Sequence, residues 1–180
     1  MKRFRKLCVA IALCVVSSIC LSITAYSMNV LYITRYQQEN SNWCWAASIY
    51  MISKHVMGSS YSQSQIVTSV HGSAVNWGAS ISEAAYAMRV NTGFQTNIYT
   101  SPISYSTVES RINANRPIYL GLNWNNGGGH AVVCDGYNNY NLRIVDPWNT
   151  CPARYVGYEE SKRNAKFCSG DGRWVDGFYI

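Results

Sequence analysis

The sequence predicts an α+β fold, a helical first half packed on an antiparallel sheet drawn from the second half, with a cleft between them. Three observations predict it. Apolar residues recur at three- and four-residue steps after Cys44, serines with an acid three residues on open further helical stretches, and from Pro117 onward short apolar runs alternate with turn residues. No internal repeat or low-complexity linker interrupts the pattern, so one domain spanning residues 28–180 is expected.

Residues 1–27 stand apart from that domain. Met1-Lys2-Arg3-Phe4-Arg5-Lys6 is basic, Leu7 to Ile23 is an apolar core of 17 residues, and Ala25-Tyr26-Ser27 is a small-x-small cleavage site. The core is short for a membrane span. A cleaved signal peptide with a mature start at Met28 is expected, which makes the protein secreted or periplasmic and leaves it without a membrane span. Four of the 15 Lys and Arg residues lie in this segment, leaving 11 basic against 9 acidic residues and a net charge of +2. The mature chain therefore lacks the Lys/Arg cluster of a nucleic-acid binder, and its aromatic residues serve core and substrate surface instead.

The first domain element is a helix beginning at Cys44. Ala46, Ile49, Tyr50, Ile52, Val56 and Met57 mark one face, and Gly58 stops it. Gln63 to Val70 gives a short second helix. Ser80-Ile81-Ser82-Glu83 and Ser106-Thr107-Val108-Glu109 have capping-box spacing for a third and a fourth. Strands follow at Ile118 to Leu122, Ala131 to Cys134, Asn141 to Val145, Arg154 to Tyr158 and Arg173 to Ile180. Asn125-Asn126-Gly127-Gly128 is a hairpin turn, which sets His130 at the start of a strand.

Three cysteines, Cys8, Cys14 and Cys20, fall in the signal, and Cys44, Cys134, Cys151 and Cys168 remain. In an oxidising compartment, Cys151 and Cys168 would close the polar segment around Glu159-Glu160-Ser161-Lys162-Arg163-Asn164, stabilising the fold by about 3 kcal/mol on a chain-entropy argument. Cys134 reads as a small buried hydrophobe in a strand. Cys44 is different: it opens a helix, where unpaired backbone N–H groups and the helix dipole favour an anion, and the thiolate is the reactive form of cysteine.

Gln38 six residues before Cys44, the Cys44-Trp45 step into a helix, Gly129-His130 opening a strand, and Asp146 two residues before Trp148 occur in that order. Together they resemble the papain-like cysteine peptidases. Ser41-Asn42-Trp43-Cys44-Trp45 replaces the Cys-Gly-Ser-Cys-Trp signature of papain and the cathepsins, and the Cys44-to-His130 interval is shorter than theirs. The similarity is instead to compact bacterial branches with a Cys-His-Asp triad, including secreted effector proteases and bacteriocin-leader-processing domains.

The resemblance implies a papain-like fold, with Cys44 as nucleophile and His130 as its base and later the acid to the leaving amine. Asp146 would orient the imidazole by accepting its Nδ1–H, and Gln38 would donate to the oxyanion with the Cys44 N–H, although adjacent Gln37 leaves that register open by one. Trp45, Gly129 and Trp148 would line the cleft or shield the triad. His55 lies eleven residues along the same helix from Cys44, about 16 Å away, and His71 closes a helix with no acid motif beside it. Asp135 is the competing acid, five residues beyond His130 on one strand, a spacing that points to the opposite face.

The expected protein is an exported thiol hydrolase, a monomer acting on protein or peptide substrates with no cofactor and no metal. A glutamine deamidase or transglutaminase-like acyl transferase would use the same triad and thioester. A non-catalytic, aromatic-rich binding protein would need none of the three residues.

Overall fold

The computed structural model describes residues 27–180, so the expected signal peptide lies outside the described residues except for Ser27. Helix α1 (Cys44–Met57) forms where the periodic run begins, and Gly58 ends it in the left-handed conformation, its N–H donating to Lys54 O. Helices α2 (Gln63–His71) and α3 (Ile81–Thr92) each open on a complete capping box, Ser62 with Gln65 and Ser80 with Glu83. In each box the serine oxygen takes a backbone N–H that the helix cannot satisfy, and the N3 side chain returns the bond.

Several elements differ from the sequence reading. Helix α4 (Tyr105–Asn113) starts two residues earlier than the Ser106–Glu109 spacing suggested, because Ser104 accepts the Thr107 N–H and so fixes the first turn. The strand expected to reach Tyr158 ends at Gly157, and the segment expected to be a loop is helix α5 (Tyr158–Arg163). Its charges explain it: Glu159 and Glu160 sit in the first turn and Lys162 and Arg163 in the last, complementing the helix dipole, while Glu159 pairs with both cations.

The strands are β1 (Met28–Val30), β2 (Asn97–Tyr99), β3 (Ile118–Trp124), β4 (Gly129–Asn138), β5 (Asn141–Val145), β6 (Arg154–Gly157), β7 (Ala165–Lys166) and β8 (Asp171–Tyr179). They join in the order β2-β8-β3-β4-β5-β6, with β1 added to β4 and β7 to β8, and every pairing is antiparallel. The short β1 and β2 carry too few residues to show a period, and only their pairing partners define them as strands. In the β3–β4 hairpin Leu122 faces His130 and Ile118 faces Cys134.

Strand alternation divides the core between the two faces of the sheet. Tyr119, Ala131, Val133, Val145 and Phe178 pack with Trp45, Ile49, Ile52 and Met88 of the α1–α3 layer. Ile118, Leu120, Val132, Cys134, Leu142, Ile144 and Trp174 pack with Val108 and Ile112 of α4 on the other side. The sheet is thus covered on both faces, and the helices of the first half do not all lie in one layer. No helix of the described residues is long and apolar enough to cross a membrane.

Candidate active site

Cys44 is the first residue of α1 and is half-buried in a cleft of about 580 Å³. Trp43 precedes it with φ −98° and ψ 18° and supplies no side-chain cap, and the first turn contains no acid. The N–H groups beside the thiol therefore keep the anion-favouring character of an open helix start. Two indoles fix that start in place: Trp43 Nε1–H donates to Val75 O at 2.9 Å and Trp45 Nε1–H to Trp77 O at 3.1 Å. Trp45 is buried and also lines the cleft.

His130 enters the same cleft from the beginning of β4, and Asp146 follows the end of β5. Antiparallel pairing of these strands brings the two side chains together, with His130 Nε2 2.8 Å from Asp146 Oδ1. An ionised carboxylate only accepts, so Nε2 carries the proton of this bond. That reverses the ring orientation expected from sequence, in which Asp146 took the Nδ1–H. Nδ1 is the nitrogen left for the nucleophile.

Asp146 is 1 % exposed and accepts two further bonds, from the Trp148 N–H at 2.8 Å and from Ser169 Oγ at 2.6 Å. Burial works against its charge, but the bonds from His130, Ser169 and Trp148 hold its pKa below the usual carboxylate range. Burial likewise opposes protonation of His130; the Asp146 carboxylate and the Cys44 sulfur outweigh it and lift the imidazole to about 9. Trp124 stacks on the ring with centroids 5.5 Å apart, and Trp148 meets it edge-on at 6.0 Å. Gly129 lets the start of β4 lie close against β3, since a Cβ there would stand 3.0 Å from Leu122 O.

Gln38 is buried whereas Gln37 is exposed. Gln38 Nε2 donates to Asn40 O at 2.9 Å and Ser41 O at 2.8 Å, so both its hydrogens point into the loop before Cys44 and the side chain is not part of the cleft lining. Its backbone N–H reaches Pro147 O at 3.0 Å. The strap of residues 31–38 is tied down further by Arg35, whose Nε–H donates to Asp146 O at 2.8 Å and whose Nη2 donates to Trp148 O.

The rival residues lie elsewhere. Asp135 sits at a bulge of β4, where its carboxylate accepts from Arg143 and the Ile33 N–H. His55 bonds to Asn115, and His71 stands between Trp45 and Trp77 with Nε2 at 3.2 Å from Gly78 O. Cys151 and Cys168 form a disulfide, while Cys134 is a buried thiol that burial pushes up to about 12. Among the described residues there is no cluster of metal-ligating side chains.

Sequence reading missed Trp124, Ser169 and Arg35. Hairpin register could have found Trp124, because the turn folds β3 back beside His130. Ser169 had only its adjacency to Cys168 to suggest it.

Solved structures share this fold at low identity. A putative C39-like peptidase from Bacillus anthracis aligns with a TM-score of 0.65 and 12 % identity, over 86 % of this chain and 98 % of that one. The peptidase domain of Streptococcus ComA, a bifunctional ABC transporter of a quorum-sensing pathway, gives 0.56 and 17 %, over 83 % and 97 %. A double-glycine-motif protease from an AMS/PCAT transporter, solved with its leader peptide, gives 0.53 and 17 %, over 83 % and 94 %. No curated protein sequence matches the chain significantly. At the level of sequence family, residues 25–161 match the papain-like cysteine protease AvrRpt2. The chain belongs to that family of papain-like cysteine peptidases.

Proposed function

We infer that this cysteine peptidase is exported and cleaves peptide bonds through an acyl-enzyme on Cys44. The observation that carries the mechanism is the buried His130–Asp146 pair, 2.8 Å apart, in the cleft that Cys44 lines from an uncapped helix start. With Nε2–H engaged by Asp146, the Nδ1 side of the ring takes the thiol proton. The Cys44 sulfur then bonds to the scissile carbonyl carbon, and the carbonyl π electrons move to oxygen. When that oxyanion collapses, the C–N bond breaks and His130 returns the proton to the leaving amine. Water, deprotonated by His130, hydrolyses the thioester and regenerates the thiol.

The Cys44 N–H is one donor for the oxyanion. For Gln38 to be the second, its amide must turn from the Asn40 and Ser41 carbonyls into the cleft. Peptide occupancy is supported by the leader peptide bound to the structurally similar transporter protease. Export is supported by the basic and apolar pattern of residues 1–23 and by the Cys151–Cys168 disulfide.

A thiol-directed epoxide, followed by peptide mapping and by mass spectrometry of a treated protein mixture, tests this reading. Modification of Cys44 and new chain termini are expected, and both should vanish in Cys44→Ala. Labelling elsewhere, or a deamidation shift without chain cleavage, would overturn it. N-terminal sequencing of protein recovered outside the cytoplasm should begin at Met28.

A further inference from the structure

We propose that Asp176 gives this peptidase its substrate preference, by seating a lysine or arginine side chain of the peptide in the catalytic cleft. The inference rests on the peptidase reading above and adds a substrate class to it. Among the described residues, Asp176 is the one carboxylate lining the cleft, and no lysine or arginine lines it. Among the described residues its carboxylate has no ion pair or hydrogen-bond partner; the Trp174 indole N–H donates to its backbone oxygen instead. Asp135 and Asp146, the two fully buried acids, each accept from a cation or proton donor inside the protein, Asp135 Oδ2 from Arg143 and the Ile33 N–H and Asp146 from His130, Ser169 and Trp148. Asp176 is partly buried and faces the cleft, so a cation arriving with the substrate would find a carboxylate that no protein group already neutralises.

The backbone makes room for this carboxylate. Asp176 lies across from Gly121 where β8 and β3 slip register, and a Cβ on Gly121 would collide with Asp176 Oδ1. Burial raises the Asp176 pKa, with no nearby cation to bring it down. Tyr119 connects this point to the chemistry, because its buried hydroxyl experiences the charges of both Cys44 and Asp176. Asp176, Tyr119 and Cys44 line the same cleft. Tyr119, Val175, Ala79 and Ile81 give the surrounding lining an apolar character that suits the methylene stem of a long basic side chain.

The test uses N-acetylated, C-amidated peptides in which lysine, norleucine or glutamate is scanned through each position around the cleaved bond. Blocking the termini removes the peptide's own ammonium as an alternative cation. Fluorescence anisotropy gives the affinity for Cys44→Ala protein, and kcat/KM is measured on the protein with Cys44 intact. At one position lysine should exceed norleucine by about tenfold in both measurements, the gain expected of a charge-assisted hydrogen bond in a partly desolvated site. Asp176→Asn should bring that ratio close to one, and Asp176→Lys should favour glutamate. A lysine preference that survives Asp176→Asn, or no preference at any position, overturns the proposal. Because binding is read without the thiol, a failure of Cys44 labelling would instead count against the peptidase mechanism. Should Asp176→Lys not fold, the isosteric Asp176→Asn decides.

Discussion

At the scale of the residue, the chemistry depends on one proton held on one ring. His130 is raised from an ordinary 6.5 to about 9, so the imidazolium persists across neutral pH and is lost as pH rises through about 9. If the reactive state is thiolate beside imidazolium, epoxide labelling of Cys44 should show an alkaline limb near that value. Asp146→Asn removes the largest raising influence, so the limb should move to lower pH while kcat falls by about a hundredfold, less than the complete loss expected for Cys44→Ala. A pH–rate profile with an unmoved limb would break the link between Asp146 and the imidazole. The same linkage acts on stability. The contribution of His130 is fully present below pH 6.5 and fades as pH climbs through about 9, while that of Asp146, whose pKa is lowered, is present above its unfolded value and fades in acid.

At the scale of the element, the disulfide and the triad are one construction. Cys151 lies just beyond the Asp146–Trp148 loop and Cys168 immediately precedes Ser169, so the covalent bridge fixes the loop from which Ser169 Oγ reaches Asp146. Ser169→Ala should lower kcat and shift the alkaline limb of the labelling profile, because its hydroxyl donates to the Asp146 carboxylate. Replacing Cys151 and Cys168 by alanine should reproduce that kinetic signature and also cost about 3 kcal/mol in chemical denaturation. A double variant that loses stability but keeps the wild-type pH profile would separate the bridge from catalysis. Cys134, inside β4, should behave as packing alone: Cys134→Ser is expected to lose about 1 to 3 kcal/mol and to retain its turnover per folded molecule.

At the scale of the whole molecule, the active cleft is a seam between parts held by different forces. α1 is anchored by apolar burial on one face of the sheet, whereas the loop bearing Asp146 and Trp148 is tied to the 31–38 strap by Arg35 and by the Gln38 N–H. Arg35→Ala leaves the part-buried Asp146 carbonyl and the exposed Trp148 carbonyl without their donor, which should cost about 1 kcal/mol. Hydrogen exchange at residues 146–150 should quicken in that variant while the β3–β4 hairpin stays protected. Uniform quickening across the sheet would show that the strap is part of the global unfolding unit rather than a local clamp.

Much of this was legible in the sequence because it is encoded locally. Period, capping serines and terminal glycines announce α1 to α3, and the Asn-Asn-Gly-Gly turn sets His130 at its strand start. Cys44, His130 and Asp146 could be singled out because each chemistry-bearing residue sits at a recognisable element boundary. α5 was misread because its evidence is charge placement over only six residues, and β1 and β2 went unread because three residues cannot establish a period. Tertiary structure alone decided which imidazole nitrogen meets Asp146, that Gln38 turns toward its own loop, that Ser169 completes the carboxylate's bonds, and that Asp176 stands unpaired in the cleft. Apart from the local turn of Gln38, those facts are meetings between residues on different strands and loops. No neighbouring residue constrains them; antiparallel register, a bulge and a covalent bridge do.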